Sequence, residues 1–199
     1  LAARGRRGLG KTPATARRRL RRVPREGARH VSLPGSRGAG PGAPLAEGIE
    51  VRPVEPDHYR PVWDEMQVAF RDHWGYSPES ESDYEGWQKS SSFQPDLWQV
   101  AWDGNIVVGT VLGYITENEN REYGLRRGYT DDITVRREYR GRGIARALIA
   151  CCLRALKDRG MTEAALFVDT ENLSGALRLY EGMGYRPVVR STHYRKPLN

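Results

Sequence analysis

Hydrophobic and polar positions organise the chain only beyond residue 48. Gly48 to Val54 alternates apolar and polar side chains, which predicts a first strand. Tyr59, Val62, Trp63, Met66 and Phe70 recur at three- and four-residue spacing, predicting an amphipathic helix from Pro56-Asp57 towards Trp74. Gly75-Tyr76-Ser77-Pro78 breaks it, and a second, more polar helix is predicted over 79–91, carrying Tyr84 and Trp87. Leu97 to Trp102 and Ile106 to Thr116 read as strands joined by a hairpin turn at Asp103-Gly104-Asn105. Residues 117–127 are charged and read as a loop, and Tyr129 to Val135 as the next strand. Ile144, Ala147, Leu148 and Cys151 then mark a helix that ends near Asp158-Arg159-Gly160, where the glycine suits a cap. Ala164 to Val168 reads as a buried strand. Asn172-Leu173-Ser174-Gly175 opens a further helix with Ala176, Leu177 and Tyr180 inward, and Tyr185 to Lys196 supplies final strand structure. This order predicts an α/β domain: a single mixed, largely antiparallel twisted sheet flanked by about four helices.

Charge separates the first 48 residues from the rest. They hold twelve of the 32 Lys and Arg residues and two of the 25 Asp and Glu residues, a net of +10 that leaves the remainder at −3. Rich in Arg, Gly, Pro and Ala, residues 1–47 have too little apolar surface to repay ordering and are expected to form a disordered tail before a domain spanning 48–199. The run Arg17-Arg18-Arg19-Leu20-Arg21-Arg22 suits nonspecific contact with nucleic acid or an acidic surface, an organellar presequence, or an extension with no role. No apolar run approaches the roughly 20 residues that cross a bilayer. Cys151 and Cys152 are adjacent within a helical pattern, which suits buried thiols in a reducing compartment, so a cytoplasmic protein without a disulfide or a metal is expected.

Candidate chemistry concentrates in Ile133 to Leu148, ITVRREYRGRGIARAL. A β-branched strand end leads through Arg140-Gly141-Arg142-Gly143 into an amphipathic helix. Glycines allow a tight turn and close approach of a ligand to the main chain, and the first helical turn offers unpaired N–H groups at the positive end of its dipole. Arg137, Arg140, Arg142 and Arg146 add positive charge, so the segment reads as a pyrophosphate cradle. It is not a Walker loop, because the Lys-Thr pair at Lys11-Thr12 has no preceding glycine at the required spacing. A dinucleotide fingerprint starting at Gly141 would place Arg146 where Gly or Ala packs, and its glycines lie too far beyond Val135, although Glu163 stands where a ribose-binding acid is sought.

The pattern Arg140-x-x-Gly143-x-Ala145 after a strand ending at Val135 resembles the acyl-coenzyme A motif of the GNAT N-acetyltransferase superfamily. Asp169-Thr-Glu-Asn172, Ala176-Leu-Arg-Leu-Tyr180 and Gly184-Tyr185 extend the resemblance over about residues 48–197. Asp72-His73-Trp74-Gly75, followed by Pro78, is similar to a subgroup akin to the C-terminal half of mycothiol synthase. Those relatives often carry a second module upstream, for which residues 1–48 are too short and too basic.

The resemblance implies a GNAT fold and transfer of acetyl from acetyl-CoA, as co-substrate, to a primary amine. A small-molecule acceptor is expected, with a protein N-terminal amine, or an inactive CoA-binding module with a nucleic-acid-binding tail, as alternatives. It implies that the main chain of Ile133, Thr134 and Val135 pairs with the pantetheine arm, and that Arg140, Gly141, Arg142, Gly143, Ile144 and Ala145 hold the pyrophosphate. Asn172 would contact the pantetheine arm, and it also suits a helix N-cap. Tyr180 would protonate the departing thiolate, with a packing tyrosine as the plainer role. Asp131 and Asp132, adjacent on a strand, are expected to point to opposite faces, leaving one to act as base. Asp132 is the choice, with Glu117, Glu119 and Glu122 as other candidates and a surface ion pair as the bland reading. His73, with Trp74 and Tyr76, falls where the family shapes the acceptor pocket, and taken alone the site reads first as a structural His–Trp pair. A monomer or homodimer without a membrane partner is expected.

Overall fold

The computed structural model describes residues 21–22, 26–32, 45, 47–72, 76–169, 175–189 and 194–195. Its strands are β1 (Arg21–Arg22), β2 (Glu26–Ser32), β3 (Ile49–Val51), β4 (Gln99–Asp103), β5 (Ile106–Ile115), β6 (Arg127–Val135), β7 (Glu163–Asp169), β8 (Arg186–Pro187) and β9 (Tyr194–Arg195). Helices are α1 (Tyr59–Ala69), α2 (Glu81–Gln88), α3 (Glu117–Tyr123), α4 (Ile144–Asp158) and α5 (Ala176–Gly182). A seven-stranded sheet runs in the order β3-β4-β5-β6-β7-β2-β8, and β1 pairs separately with β9. Pairing is antiparallel except between β6 and β7, which α4 joins as a crossover. The fold is thus the mixed, largely antiparallel sheet with flanking helices that the patterning implies.

Three stretches differ from the sequence reading. Residues 117–127 are not a plain loop, because α3 forms over Glu117–Tyr123, with acidic residues in its first turn, Arg121 in its last and Gly124 in the left-handed conformation as its stop. Within the segment expected to be disordered, Glu26–Ser32 is a strand that pairs with β7 over its whole length, and Arg21–Arg22 pairs with Tyr194–Arg195. Leu97 closes a 3-10 turn rather than opening the strand, since Pro95 fixes the turn's first residue.

Two apolar layers sandwich the sheet. Ile144, Leu148, Ile149, Cys152 and Leu156 of α4 are buried against Val108, Val111, Ala164 and Leu166. Each such Leu or Ile taken from water contributes about 1.5–3 kcal/mol. The glycines under α4 are spacers. A Cβ at Gly113 would stand 2.6 Å from Cys152 Sγ and 2.9 Å from the Leu97 carbonyl, and one at Gly128 would stand 2.4 Å from Leu156. On the opposite face, Val62, Trp63 and Met66 of α1 pack on Trp98, Val100, Trp102, Val107 and Leu112, with Trp87 stacked on Trp98 at 5.1 Å. Among the described residues no helix is long and apolar enough to cross a membrane.

One ion pair ties α1 to the end of β6. Glu65, fully buried, accepts from Arg136 Nε at 2.5 Å, while Arg136 N donates to the Val108 carbonyl and extends the β5–β6 ladder. Burial outweighs the attraction of Arg136 and pushes the Glu65 carboxyl up to about 7 from 4.5. A carboxyl with a raised folded-state pKa contributes stability in full at low pH and loses it as pH rises between those two values. Glu65→Gln keeps an acceptor for Arg136 but removes the titration, so its stability relative to the parent is expected to improve from pH about 4.5 to about 7. Denaturant unfolding of both proteins across that range checks this; parallel curves would refute it.

Candidate active site

β6 and β7 pair at Arg127–Glu163, Gly128–Ala164 and Tyr129–Ala165, and among the described residues their pairing ends there. Beyond Tyr129 the two strands separate, and a cavity of about 510 Å³ opens between them. β6 lines it from Thr130 to Val135, β7 with Phe167 and Val168, the end of α1 with Ala69, and α5 with Ala176, Leu179 and Tyr180. The glycine loop and the first turn of α4 close its far end.

A bulge in β6 shapes the wall. Thr110 pairs with Thr134 and Leu112 with Asp131, so Asp132 and Ile133 together oppose Val111. Asp132 has φ of 43°, a left-handed conformation that Asp tolerates better than most side chains. Buried Thr110 secures it: its Oγ1 donates to the Asp132 carbonyl at 2.7 Å. With its hydrogen so committed, Thr110 accepts from Thr134 Oγ1 at 2.8 Å. The bulge breaks the two-residue alternation, and Asp131 and Asp132 both line the cavity instead of facing opposite sides of the sheet. Burial, then the neighbouring carboxylates of Asp131 and Glu79, push the Asp132 carboxyl up to about 7.

Tyr180, buried on α5, has its phenol pushed up to about 12, chiefly by burial and further by Asp131. It is therefore protonated at neutral pH and a proton donor into the cavity. Cys152 is buried with its thiol also pushed up to about 12 by burial, Cys151 is half-buried, and neither lines the cavity. Glu119 is engaged, accepting from the Tyr129 hydroxyl at 2.7 Å and pairing with Arg127.

The loop suits an anion. Gly141 and Gly143 have φ of 78° and 79°, and a Cβ at either would meet nothing within 4 Å, so both main chains are open to a ligand. Gly143 caps α4 without a side-chain hydrogen bond, leaving the N–H groups of its first turn for a bound group. Tyr139 donates to Asp103 Oδ2 at 2.7 Å and anchors the loop to the β4–β5 hairpin. Arg140 Nε donates to the Val135 carbonyl at 3.0 Å, which occupies one of the main-chain acceptors at the strand end.

Of the residues singled out from sequence, Asp132, Ile133, Thr134, Val135, Arg140, Gly141, Gly143, Ile144, Ala145 and Tyr180 meet in this cavity. Arg142 does not line it; its guanidinium lies over the Tyr139 ring at 5.0 Å. Asn172 and His73 lie outside the described residues, and the N-cap of α5 is Gly175 rather than Asn172. Sequence reasoning missed Thr110, which sits in an ordinary strand run, and Phe167, which was assigned to a buried strand. Among the described residues no group of three or more His, Cys, Asp and Glu side chains is set to hold a metal.

Compared with known proteins, the model for the family described as Acetyltransferase (GNAT) family matches residues 60–185, well over half of the chain. The chain belongs to the GNAT acetyltransferase family. The GNAT relative named Mycothiol acetyltransferase, from Thermobispora bispora, is 29% identical over 158 residues, covering 78% of this chain and 52% of that protein. N-alpha-acetyltransferase 30 from Saccharomyces cerevisiae is 32% identical over 105 residues, 50% of this chain and 57% of that one. The chain spans about half the length of these curated relatives. Among solved structures, the GCN5-related N-acetyltransferase from Sphaerobacter thermophilus aligns with a TM-score of 0.69 at 29% identity, covering 89% of this chain and 52% of that one. GNAT acetyltransferases use acetyl-CoA, and the open glycine loop at the head of α4 has the form its pyrophosphate requires.

The bulge depends on one hydroxyl. Thr110→Val keeps the shape but leaves the Asp132 carbonyl and the Thr134 hydroxyl without their partner, an expected loss of about 1–3 kcal/mol in unfolding free energy. Thr110→Ser should recover most of it. Equal stability of the Val variant and the parent in urea unfolding would show that the hydroxyl does not hold the bulge.

Proposed function

We propose that this GNAT domain transfers acetyl from acetyl-CoA to the primary amine of a small molecule by direct attack, without an acyl-enzyme. The observation that carries the reading is the meeting of three features in one cavity: the unpaired edge of β6, the open glycine loop, and the carboxyl of Asp132 beside the phenol of Tyr180. Among the described residues the cavity wall lies between residues 69 and 180, so the catalytic unit is proposed to fall within 48–199.

In this reading the α4 N-terminus, Gly141 and Gly143 hold the pyrophosphate, with Arg140 and Arg142 supplying charge and Ile144 and Ala145 supplying main-chain N–H groups. The pantetheine arm runs between the separated strands, where main-chain groups of Ile133, Thr134 and Val135 face it, and Asn172 is the side chain proposed to contact it. Fixed main-chain dipoles polarise the thioester carbonyl without reorganising. The amine arrives as an ammonium, and Asp132, with a pKa near neutrality, takes its proton. The freed lone pair attacks the carbonyl carbon, the C–N bond forms, and the C–S bond breaks. The thiolate collects the Tyr180 proton, and the second proton leaving nitrogen returns through solvent to the tyrosine.

A second reading, acetylation of a protein N-terminal amine, draws support from the relatives named N-alpha-acetyltransferase. A panel of short peptides and small amines, followed by mass spectrometry, separates the two: acetylated peptides without acetylated small amines would select the second. The basic segment before residue 48 supports nucleic-acid contact only through its charge.

Gly143→Asp places a carboxylate and a side chain where the phosphates would lie, at a positive φ, and should weaken CoA binding about a hundredfold or more. Unchanged affinity in calorimetry would remove the cradle. With Asp132 as base, kcat/KM should rise with pH to a plateau through about 7, because only the ionised carboxylate accepts a proton. Asp132→Asn should lose that limb and most turnover, and Tyr180→Phe should lower kcat far more than cofactor affinity. Thiol release measured from pH 5.5 to 9 tests both roles, and profiles matching the parent would dismiss them.

A further inference from the structure

The apolar stripe of α1 contains a charged residue. Val62, Trp63 and Met66 are buried against the sheet, and Glu65, within the same stripe, has no exposed surface. Its Oε2 accepts from Arg136 Nε at 2.5 Å, and among the described residues its Oε1 is buried without a partner. Taking a carboxylate and a guanidinium out of water often costs more than their attraction returns, and a well-packed apolar pair of similar size is commonly as stable or more so. Stability alone would therefore favour leucine or methionine here. What an ion pair has and an apolar contact lacks is direction.

The partner of Glu65 stands at a junction. Arg136 follows Val135, the last residue of β6, and begins the turn Arg137–Tyr139 that leads into the glycine loop. Its N–H donates to the Val108 carbonyl at 2.9 Å, and its carbonyl accepts from Tyr139 N at 2.9 Å. The loop beyond is lightly held: a Cβ at Gly141 or Gly143 would meet nothing within 4 Å, and no side chain caps α4. Tyr139 reaches Asp103 at an exposed site, whereas the Glu65 carboxylate is wholly buried and its bond to Arg136 is little screened by salt. Glu138 and Arg140 also lie within electrostatic reach of Glu65, so the carboxylate sits at the root of the loop. One helical turn past Glu65, Ala69 lines the cavity. The pair therefore joins the α1 wall to the segment that closes the far end.

We infer that Glu65 is a positioning residue for the cofactor site: its bond to Arg136 fixes where β6 ends and the glycine loop begins, and so sets the loop for CoA before the cofactor arrives. This rests on the reading above that CoA binds at that loop and adds a residue acting on it through another. Glu65 does not line the cavity and takes no part in bond making.

The test measures the Kd for CoA by calorimetry, and unfolding in urea, on the full chain. Glu65→Leu leaves Arg136 without its acceptor and should raise the Kd about tenfold, the loss expected when a binding loop is no longer preorganised. Glu65→Gln keeps an acceptor and should restore most of that affinity. The double variant Glu65→Leu/Arg136→Met replaces the pair by an apolar contact, so it should match the parent in stability but not in affinity. In that double variant, amide hydrogen exchange should quicken at residues 136–143 and keep the parent rate at 148–156 in α4. Should Glu65→Leu alone fail to fold, the double variant compared with Glu65→Gln decides the question. A Glu65→Leu chain that is less stable yet binds CoA like the parent overturns the inference, and so does a double variant that regains stability and affinity together. If the parent binds CoA and the variants bind it equally well, only the positioning role falls; if the parent does not bind CoA, the acetyl-transfer reading falls with it.

Discussion

Parallel strands that hydrogen-bond along their whole length leave no space between them. Here β6 and β7 are bonded over Arg127–Tyr129 alone, and the remaining length of both walls the cavity. Main-chain groups freed from a ladder must find other partners or carry a desolvation cost, so such an opening persists only where the surrounding structure enforces it. Enforcement comes from both sides. α4 packs Leu148, Cys152 and Leu156 under the sheet and holds the paired ends together. On the β5 side, the bulge at Asp132–Ile133 turns β6 away from a regular course, and the Thr110–Thr134 hydroxyl pair keeps it there.

The same opening decides the electrostatics. Asp132 sits on the bulge in a left-handed conformation, half-buried beside Asp131, and these surroundings raise its pKa towards neutrality. Tyr180 approaches from α5, and burial pushes its phenol further from ionisation. A carboxyl that titrates near neutrality is therefore set by its position in the fold, since an exposed aspartate is ionised well below that pH. At the other end, the head of α4 and two left-handed glycines present main-chain groups in a form that suits an anion. A carrier with a phosphate-bearing end and a reactive end suits a cleft polarised in this way.

Much of the architecture was legible in the order of apolar residues. The α1 stripe, the β4–β5 hairpin, the long α4 and the strand feeding the glycine loop all follow local rules of period and turn chemistry. α3 was missed because its seven residues are mostly polar, and what marks it are its charge order and the left-handed Gly124 rather than an apolar stripe. The strand at Glu26–Ser32 was missed because a basic, glycine-bearing segment gives no sign that it will meet an unpaired edge elsewhere in the chain.

By itself, the sequence determined the open glycine loop: glycine is the residue that takes positive φ freely, and its spacing from a strand and a helix is readable in one dimension. It equally named Asp132 and Tyr180 as candidates. Only the tertiary structure decided that Asp131 and Asp132 share one wall, because a bulge is set by the register between two strands and not by either strand alone. It also decided that Phe167, which local pattern assigns to the core, is half exposed. Whether a strand residue meets protein or a cavity depends on which elements pack over its face, and those elements lie far away in the chain.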